Sequence, residues 1–242
     1  MLLAISNKLI AHRGASAYAP ENTFASFELA RTLGAEMIEL DVVLSSDGQA
    51  FVFHDSHLKR TSNGKGEIGL LSSDYLNTLN VGSWFSKRFA QEKMPLFKDI
   101  LLWAIEKDMQ LNIEIKPFKG ATEQTVIAVL SLINQYWPHD KNMPLVSSFE
   151  KNALALCRSL SPELPLGLLL DHWHPSCVNE AKSLDCLSIH MNYRVLNSKR
   201  IDAIKEADLL LLAYTVNKRS MALKLFNCKV DAIFTDYPDL LL

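Results

Sequence analysis

Short apolar runs alternate with stretches of helical periodicity along almost the whole chain, and this alternation restricts the fold more than any other feature. The runs occupy residues 9–11, 37–44, 111–115, 144–149, 166–170, 186–190, 209–216 and 230–235. Between them, Leu96, Ile100, Leu101, Ala104 and Ile105 recur at helical spacing, as do Val126, Ile127, Leu130 and Ile133. Residues 22–33 read as a further helix, with Asn22 or Thr23 to cap it and Gly34 to stop it. Strands that alternate with helices make βαβ units and a parallel sheet.

A ninth run, residues 50–54, breaks the rule. Only Ser45-Ser46-Asp47-Gly48 and Gln49 separate it from its predecessor. A parallel crossover needs about a dozen residues, whereas a hairpin needs two to five. The ninth run therefore folds back antiparallel, and eight strands remain for a closed TIM (β/α)8 barrel with a hairpin arm after strand two. The length of 242 residues suits one such barrel, which typically takes about 250. An open doubly wound sheet is the runner-up, but no Gly-x-Gly-x-x-Gly follows any strand. Residues 56–95 are richer in Gly, Ser, Asn and Lys and read as an insertion of loop and short helices. At about forty residues the insertion is marginal for independent folding, so residues 1–242 are expected to be a single domain.

Composition narrows the function classes. With 25 Lys and Arg against 27 Asp and Glu, the formal charge is −2. Such a chain has no basic field to collect nucleic-acid phosphates, though one small anion can still find a local basic site. The apolar stretch 1–5 precedes the first basic residue, Lys8, and is too short for a signal-peptide core. The apolar run 209–213 is far short of the ~20 residues that span a bilayer. Cys157, Cys177, Cys186 and Cys228 show no Cys-x-x-Cys spacing and read as small hydrophobes of a reducing compartment. The expectation is a cytoplasmic protein without stable membrane insertion or a nucleic-acid partner.

The chemistry gathers at strand ends. Glu39 and Asp41 lie two residues apart on one strand and point to the same face. Two buried like charges repel and lose hydration, which makes sense around a divalent cation. Glu114 stands in the same kind of place, and oxygen-only ligands suit Mg²⁺ or Ca²⁺. The alternative is that these acids pair with barrel lysines and arginines. His12 ends the first strand and His54 the return arm of the hairpin. Folding about Asp47 carries position 54 beside positions 40 and 41. Two imidazoles at one barrel mouth can serve as base and acid. Arg13 and Lys116 are strand-end cations suited to hold an anion. The set suits cation-assisted attack on a phosphate diester.

These residues fall within longer motifs: His12-Arg13-Gly14, Pro20-Glu21-Asn22-Thr23, Glu39-Leu40-Asp41-Val42, Phe53-His54-Asp55 and Arg60-Thr61-Ser62-Asn63-Gly64-Lys65-Gly66. Glu114-Ile115-Lys116, Ser147-Ser148-Phe149 and Ile233-Phe234-Thr235-Asp236-Tyr237-Pro238-Asp239 follow in order. The ordered set resembles the glycerophosphodiester phosphodiesterases, above all the compact bacterial cytosolic members. The resemblance implies release of glycerol 3-phosphate and an alcohol from small deacylated phospholipid head groups. It implies Glu39, Asp41 and Glu114 as ligands of one Mg²⁺ or Ca²⁺, and His12 and His54 as acid and base. It places Arg13 and Lys116 on the phosphate, Glu21 and Asn22 behind the first loop, and the insertion over the glycerol end.

One departure is visible. The family's usual Trp-Thr-Val-Asn is here Tyr214-Thr215-Val216-Asn217, which makes Tyr214 a smaller, hydroxyl-bearing wall for the substrate. His190 is a candidate for the mouth, and Phe118, Trp84 and Phe85 are candidates for substrate contact or for packing. His172-Trp173-His174 has metal-binding spacing but no third ligand nearby in sequence. Two other readings compete. A lysophospholipase D-like or phospholipase C-like activity on lipids would need an exposed apolar patch around the insertion. A non-catalytic barrel would be expected to lack an acid or a histidine, and none is missing.

Overall fold

The computed structural model describes residues 8–242, so the stretch 1–5 lies outside the described residues. Eight parallel strands close a ring: β1 (Leu9–His12), β2 (Met37–Leu44), β4 (Gln110–Ile115), β5 (Leu145–Ser148), β6 (Leu166–Leu170), β7 (Ser188–Asn192), β8 (Leu210–Tyr214) and β9 (Ala232–Thr235). β1 closes it by pairing with both β2 and β9. Helices α1 (Phe24–Thr32), α3 (Phe97–Lys107), α4 (Thr122–Tyr136), α5 (Lys151–Leu160), α6 (Cys177–Ser183), α7 (Ser198–Lys205) and α8 (Arg219–Asn227) connect successive ring strands. The chain forms the TIM barrel expected of its alternation.

The two-residue period of the strands sorts side chains into two shells. Ala11, Ile38, Leu40, Val42, Ile113, Val146, Leu168, Ile189, Leu211 and Ile233 belong to the large apolar layer shared with the helices. The alternate positions turn inward. Ile10, Met37, Leu145, Leu212, Ala232 and Phe234 form a small separate apolar cluster. Two residues further along, the same inward parity reaches His12, Glu39, Asp41, Tyr214 and Asp236. The barrel is thus apolar at its floor and polar where its strands end.

Thr23 caps α1: its side chain accepts from the Ser26 N–H, and Ser26 reciprocates toward the Thr23 N–H. Asn22 does a different job, described below. On α4, Val126, Leu130 and Ile133 are buried, but Ile127 turns to solvent.

The ninth run forms β3 (Ala50–Val52), antiparallel to β2 with Val42 opposite Val52. This register continues beyond the strand, since the Phe53 N–H donates to the Asp41 carbonyl at 3.0 Å. Asp47 ties the turn to helix α2 (Ser73–Thr78): its carboxylate accepts from Ser45 Oγ at 2.6 Å and from the Ser73 N–H at 2.9 Å. Those donors hold its pKa down at about 2. Leu58, Ile68, Leu76, Leu79, Val81 and Met94 of the insertion pack on Val43, Phe51 and Phe53 of the hairpin.

Candidate active site

The carboxylates of Glu39, Asp41 and Glu114 converge level with the C-terminal ends of β1 and β4, since Glu39 stands opposite His12 and Asp41 opposite Glu114; this is the end where barrel enzymes carry their chemistry. One oxygen from each lies within 4.8 Å of the others, and all three residues are buried. The alternative of pairing with cations holds in part. Lys116 Nζ donates to Glu114 Oε1 at 3.0 Å, whereas Glu39 Oε2 accepts at 2.9 Å from the Arg13 backbone N–H and not from its guanidinium. Arg13 Nε stands 3.3 Å from Asp41 Oδ2 without the alignment of a hydrogen bond. Asn22 donates to the same Oδ2 at 2.8 Å, so Asn22 orients an acid while Thr23 does the capping. Asp41 Oδ1 is buried and accepts no hydrogen bond, with Lys116 Nζ 3.7 Å away.

Electrostatics marks the cluster as short of positive charge. Burial, then repulsion from Asp41 and Glu114, pushes Glu39 well above the usual carboxylate range. Burial and Asp41 push Glu114 up to about 7. Burial also raises Asp41, but Arg13, Lys116 and His54 outweigh it and hold that carboxyl below its ordinary value. A buried oxygen-only set with an unpartnered carboxylate oxygen fits a hard divalent cation.

Both histidines face the same cavity of about 330 Å³, with Arg13, Glu39, Glu114 and Lys116. Each imidazole is fixed at Nδ1 by a carboxylate, His12 by Asp236 Oδ1 at 2.7 Å and His54 by Asp55 Oδ1 at 2.6 Å. Nε2 is then the ring nitrogen left for a substrate. Ser16 and Asn217 in turn hydrogen-bond the Asp236 carboxylate. Burial, assisted by Arg13 and Lys116, pulls the pKa of His54 below its ordinary value against the opposing pull of Asp41.

A chain of ion pairs joins the two halves of the mouth. Arg13 donates to Glu21 at 2.8 Å, and Arg60 of the insertion donates to Glu21 at 2.6 and 2.7 Å. Arg60 also donates to both oxygens of Asp55, at 2.7 and 2.8 Å. Next to Arg13, Gly14 adopts φ +84° and passes against α1. A Cβ there would stand 2.5 Å from Ser26 Oγ.

The other candidates fall out differently. His190 does not line the mouth. It is fully buried inside the barrel, where its Nε2 meets Ser188 Oγ at 2.9 Å and its ring packs on Phe234. Gly167 makes room for it, since a Cβ there would lie 2.5 Å from His190 Nε2. Tyr214 lines the cavity and donates to Asp171. Phe118 packs on Gly69 and lines a side cavity of about 110 Å³ beside His54 and Lys116. Phe85 meets both Trp84 and Phe89 edge to face. His172 and His174 are exposed or half-buried; His174 stands 3.8 Å from Glu180. Sequence reasoning assigned no role to Asp55, Asp236, Arg60 or Asp171. A larger cavity, about 560 Å³, lies at the opposite end of the barrel, where Arg158 is spent on backbone carbonyls.

Convergent acids beside two carboxylate-fixed histidines suit attack on a phosphoric diester. The Glycerophosphoryl diester phosphodiesterase family model matches residues 12–240, and the chain belongs to that family. It is similar to the glycerophosphodiester phosphodiesterase of Caldanaerobacter subterraneus subsp. tengcongensis, 32% identical over 97% of this chain and 96% of that one. Its fold is similar to an Oleispira antarctica phosphodiesterase solved with the product sn-glycerol-3-phosphate. The TM-score is 0.93 and the identity 38%, over 96% of this chain and 93% of that one. The glycerophosphodiester phosphodiesterase of Agrobacterium tumefaciens gives a TM-score of 0.80 at 29% identity, over 96% and 97% of the two chains. Among the described residues no helix is long and apolar enough to cross a membrane.

Proposed function

We infer that the protein hydrolyses small glycerophosphodiesters to glycerol 3-phosphate and an alcohol, and that one Mg²⁺ or Ca²⁺ held by Glu39, Asp41 and Glu114 is required. The observation that carries this reading is the buried triad of acids, with oxygens within 4.8 Å of one another, beside His12 and His54. A bound cation there would neutralise the acids and polarise a phosphoryl oxygen.

The remaining work belongs to the chain itself. Arg13 and Lys116 hold the non-bridging phosphate oxygens. One imidazole Nε2 takes the proton of the attacking hydroxyl, and the other protonates the departing alcohol oxygen. Asp236 and Asp55 keep both rings oriented and stabilise the charged form of each. Ser56 and Ile68 of the insertion line the side cavity beside His54 and Lys116, which supports the insertion as cover for the glycerol end. Residues 1–242 then act as one catalytic domain, because the insertion shares its apolar cluster with the hairpin. A cytoplasmic location belongs to the same reading, with Cys157, Cys177 and Cys186 packed as buried hydrophobes.

The test is a coupled glycerol 3-phosphate assay on glycerophosphocholine and glycerophosphoethanolamine. Chelator should abolish the release, and Mg²⁺ or Ca²⁺ should restore it. Full activity in excess chelator would remove the cation from the reading. Full rates in both His12→Ala and His54→Ala would remove the acid and base.

A further inference from the structure

The far rim of the cavity carries groups that phosphate hydrolysis does not use. Phe149 follows β5, Asp171 follows β6 and Tyr214 ends β8, and none of these strands pairs with β2. All three line the cavity that holds His12 and His54. Tyr214 Oη donates to Asp171 Oδ1 at 3.0 Å, and its ring meets Phe149 edge to face at 6.2 Å between centroids. Asp171 has no ion pair among the described residues, unlike Asp41 and Glu114. Its exposed carboxylate stands beside two mutually packed aromatic rings.

That combination selects for one kind of ligand. An organic ammonium gains from the carboxylate and from the ring faces, which also cover its methyl or methylene groups. A neutral polyol gains only hydrogen bonds there, and an anion is repelled. We propose that Phe149, Asp171 and Tyr214 form a subsite for a cationic leaving alcohol, an ammonium-bearing ethanol such as choline or ethanolamine. The proposal rests on the phosphodiesterase reading, because a phosphate held between Arg13 and Lys116 puts the alcohol in this same cavity. The cavity, at about 330 Å³, has room for both parts. Tyr214 in place of the larger indole supplies the hydroxyl that holds Asp171 in position.

The experiment compares kcat/KM for glycerophosphocholine, glycerophosphoethanolamine, glycerophosphoglycerol and glycerophosphoinositol in wild type, Asp171→Asn and Tyr214→Phe. Wild type should favour the two ammonium diesters over the two neutral-alcohol diesters. Asp171→Asn should lower that ratio about tenfold, the size expected for one partly exposed charge with its aromatic support. Tyr214→Phe should lower it less. An equal loss on all four diesters would place Asp171 on the shared glycerol and overturn the proposal, as would a wild type without preference. Calorimetry of glycerophosphocholine binding to His12→Ala, with and without Asp171→Asn, tests the subsite independently of turnover. Binding weakened by Asp171→Asn supports it, and unchanged or undetectable binding overturns it. A wild type that hydrolyses none of the four refutes the activity, while the calorimetric result still decides the subsite.

Discussion

Asp236 Oδ1 lies 2.7 Å from Nδ1 of His12, although 224 positions separate the two residues. The contact follows from ring closure. β1 and β9 pair with Ile10 opposite Phe234, and two steps further the same register sets His12 opposite Asp236. A carboxylate in this place fixes the tautomer that leaves Nε2 free and steadies the imidazolium once formed. Asp236→Asn should therefore lower kcat by about 10²- to 10⁴-fold with the melting temperature nearly unchanged. A kcat within twofold of wild type would mean that the pair is structural only.

Glu21 accepts from Arg13 and Arg60 together and carries little exposure, so it sets the direction of the Arg13 guanidinium. Burial raises the pKa of Glu21, but the two arginines more than reverse it. Glu21→Gln should raise KM about tenfold and change kcat much less, as expected for one lost charge-assisted hydrogen bond behind a phosphate contact. A loss confined to kcat would place Glu21 in the chemical step instead.

Cation binding should be visible without substrate. A ligand that binds only the folded state at a hundred times its Kd adds about 2.7 kcal/mol, or roughly 5–10 °C in a domain of this size. Mg²⁺ or Ca²⁺ should raise the melting temperature by that order in wild type. Asp41→Asn and Glu114→Gln should abolish the rise. An equal rise in those variants would point to a different site.

His190 gives the fold a defined acid sensitivity. Burial pushes its pKa down to about 3, whereas a free imidazole titrates near ~6.5. Between these values the unfolded chain carries one more proton than the native one. Its contribution to stability is complete above about pH 6.5 and falls as pH drops toward 3, by up to about 1.4 kcal/mol per pH unit. Urea unfolding across this range should show a shallower decline in His190→Gln, a variant that keeps a polar partner for Ser188. Parallel declines in the two proteins would uncouple His190 from acid stability.

Much of this arrangement is legible in the chain itself. Strand parity alone puts Glu39, Asp41 and Glu114 on the barrel's inner face, and the short turn at Asp47 brings His54 to them. The partner of His12 was within reach of the same logic, since the first and last strands of a closed barrel are neighbours. The rest depends on geometry that periodicity does not carry. His190 follows the same inward parity but sits one layer too deep for the mouth, because Gly167 opens a space for its ring. Arg60 meets Glu21 and Asp55 only through the path of the insertion, and Asp171 meets Tyr214 only through the loop after β6.

The closure of β1 against β9 also sets the order in which the site comes into being. His12 is made 224 residues before Asp236. A nascent chain still held by the ribosome can already carry the acids, both imidazoles and Arg13, yet His12 has no carboxylate behind it. The dyad is completed only when the last strand docks on the first, so it can serve as a readout of finished folding.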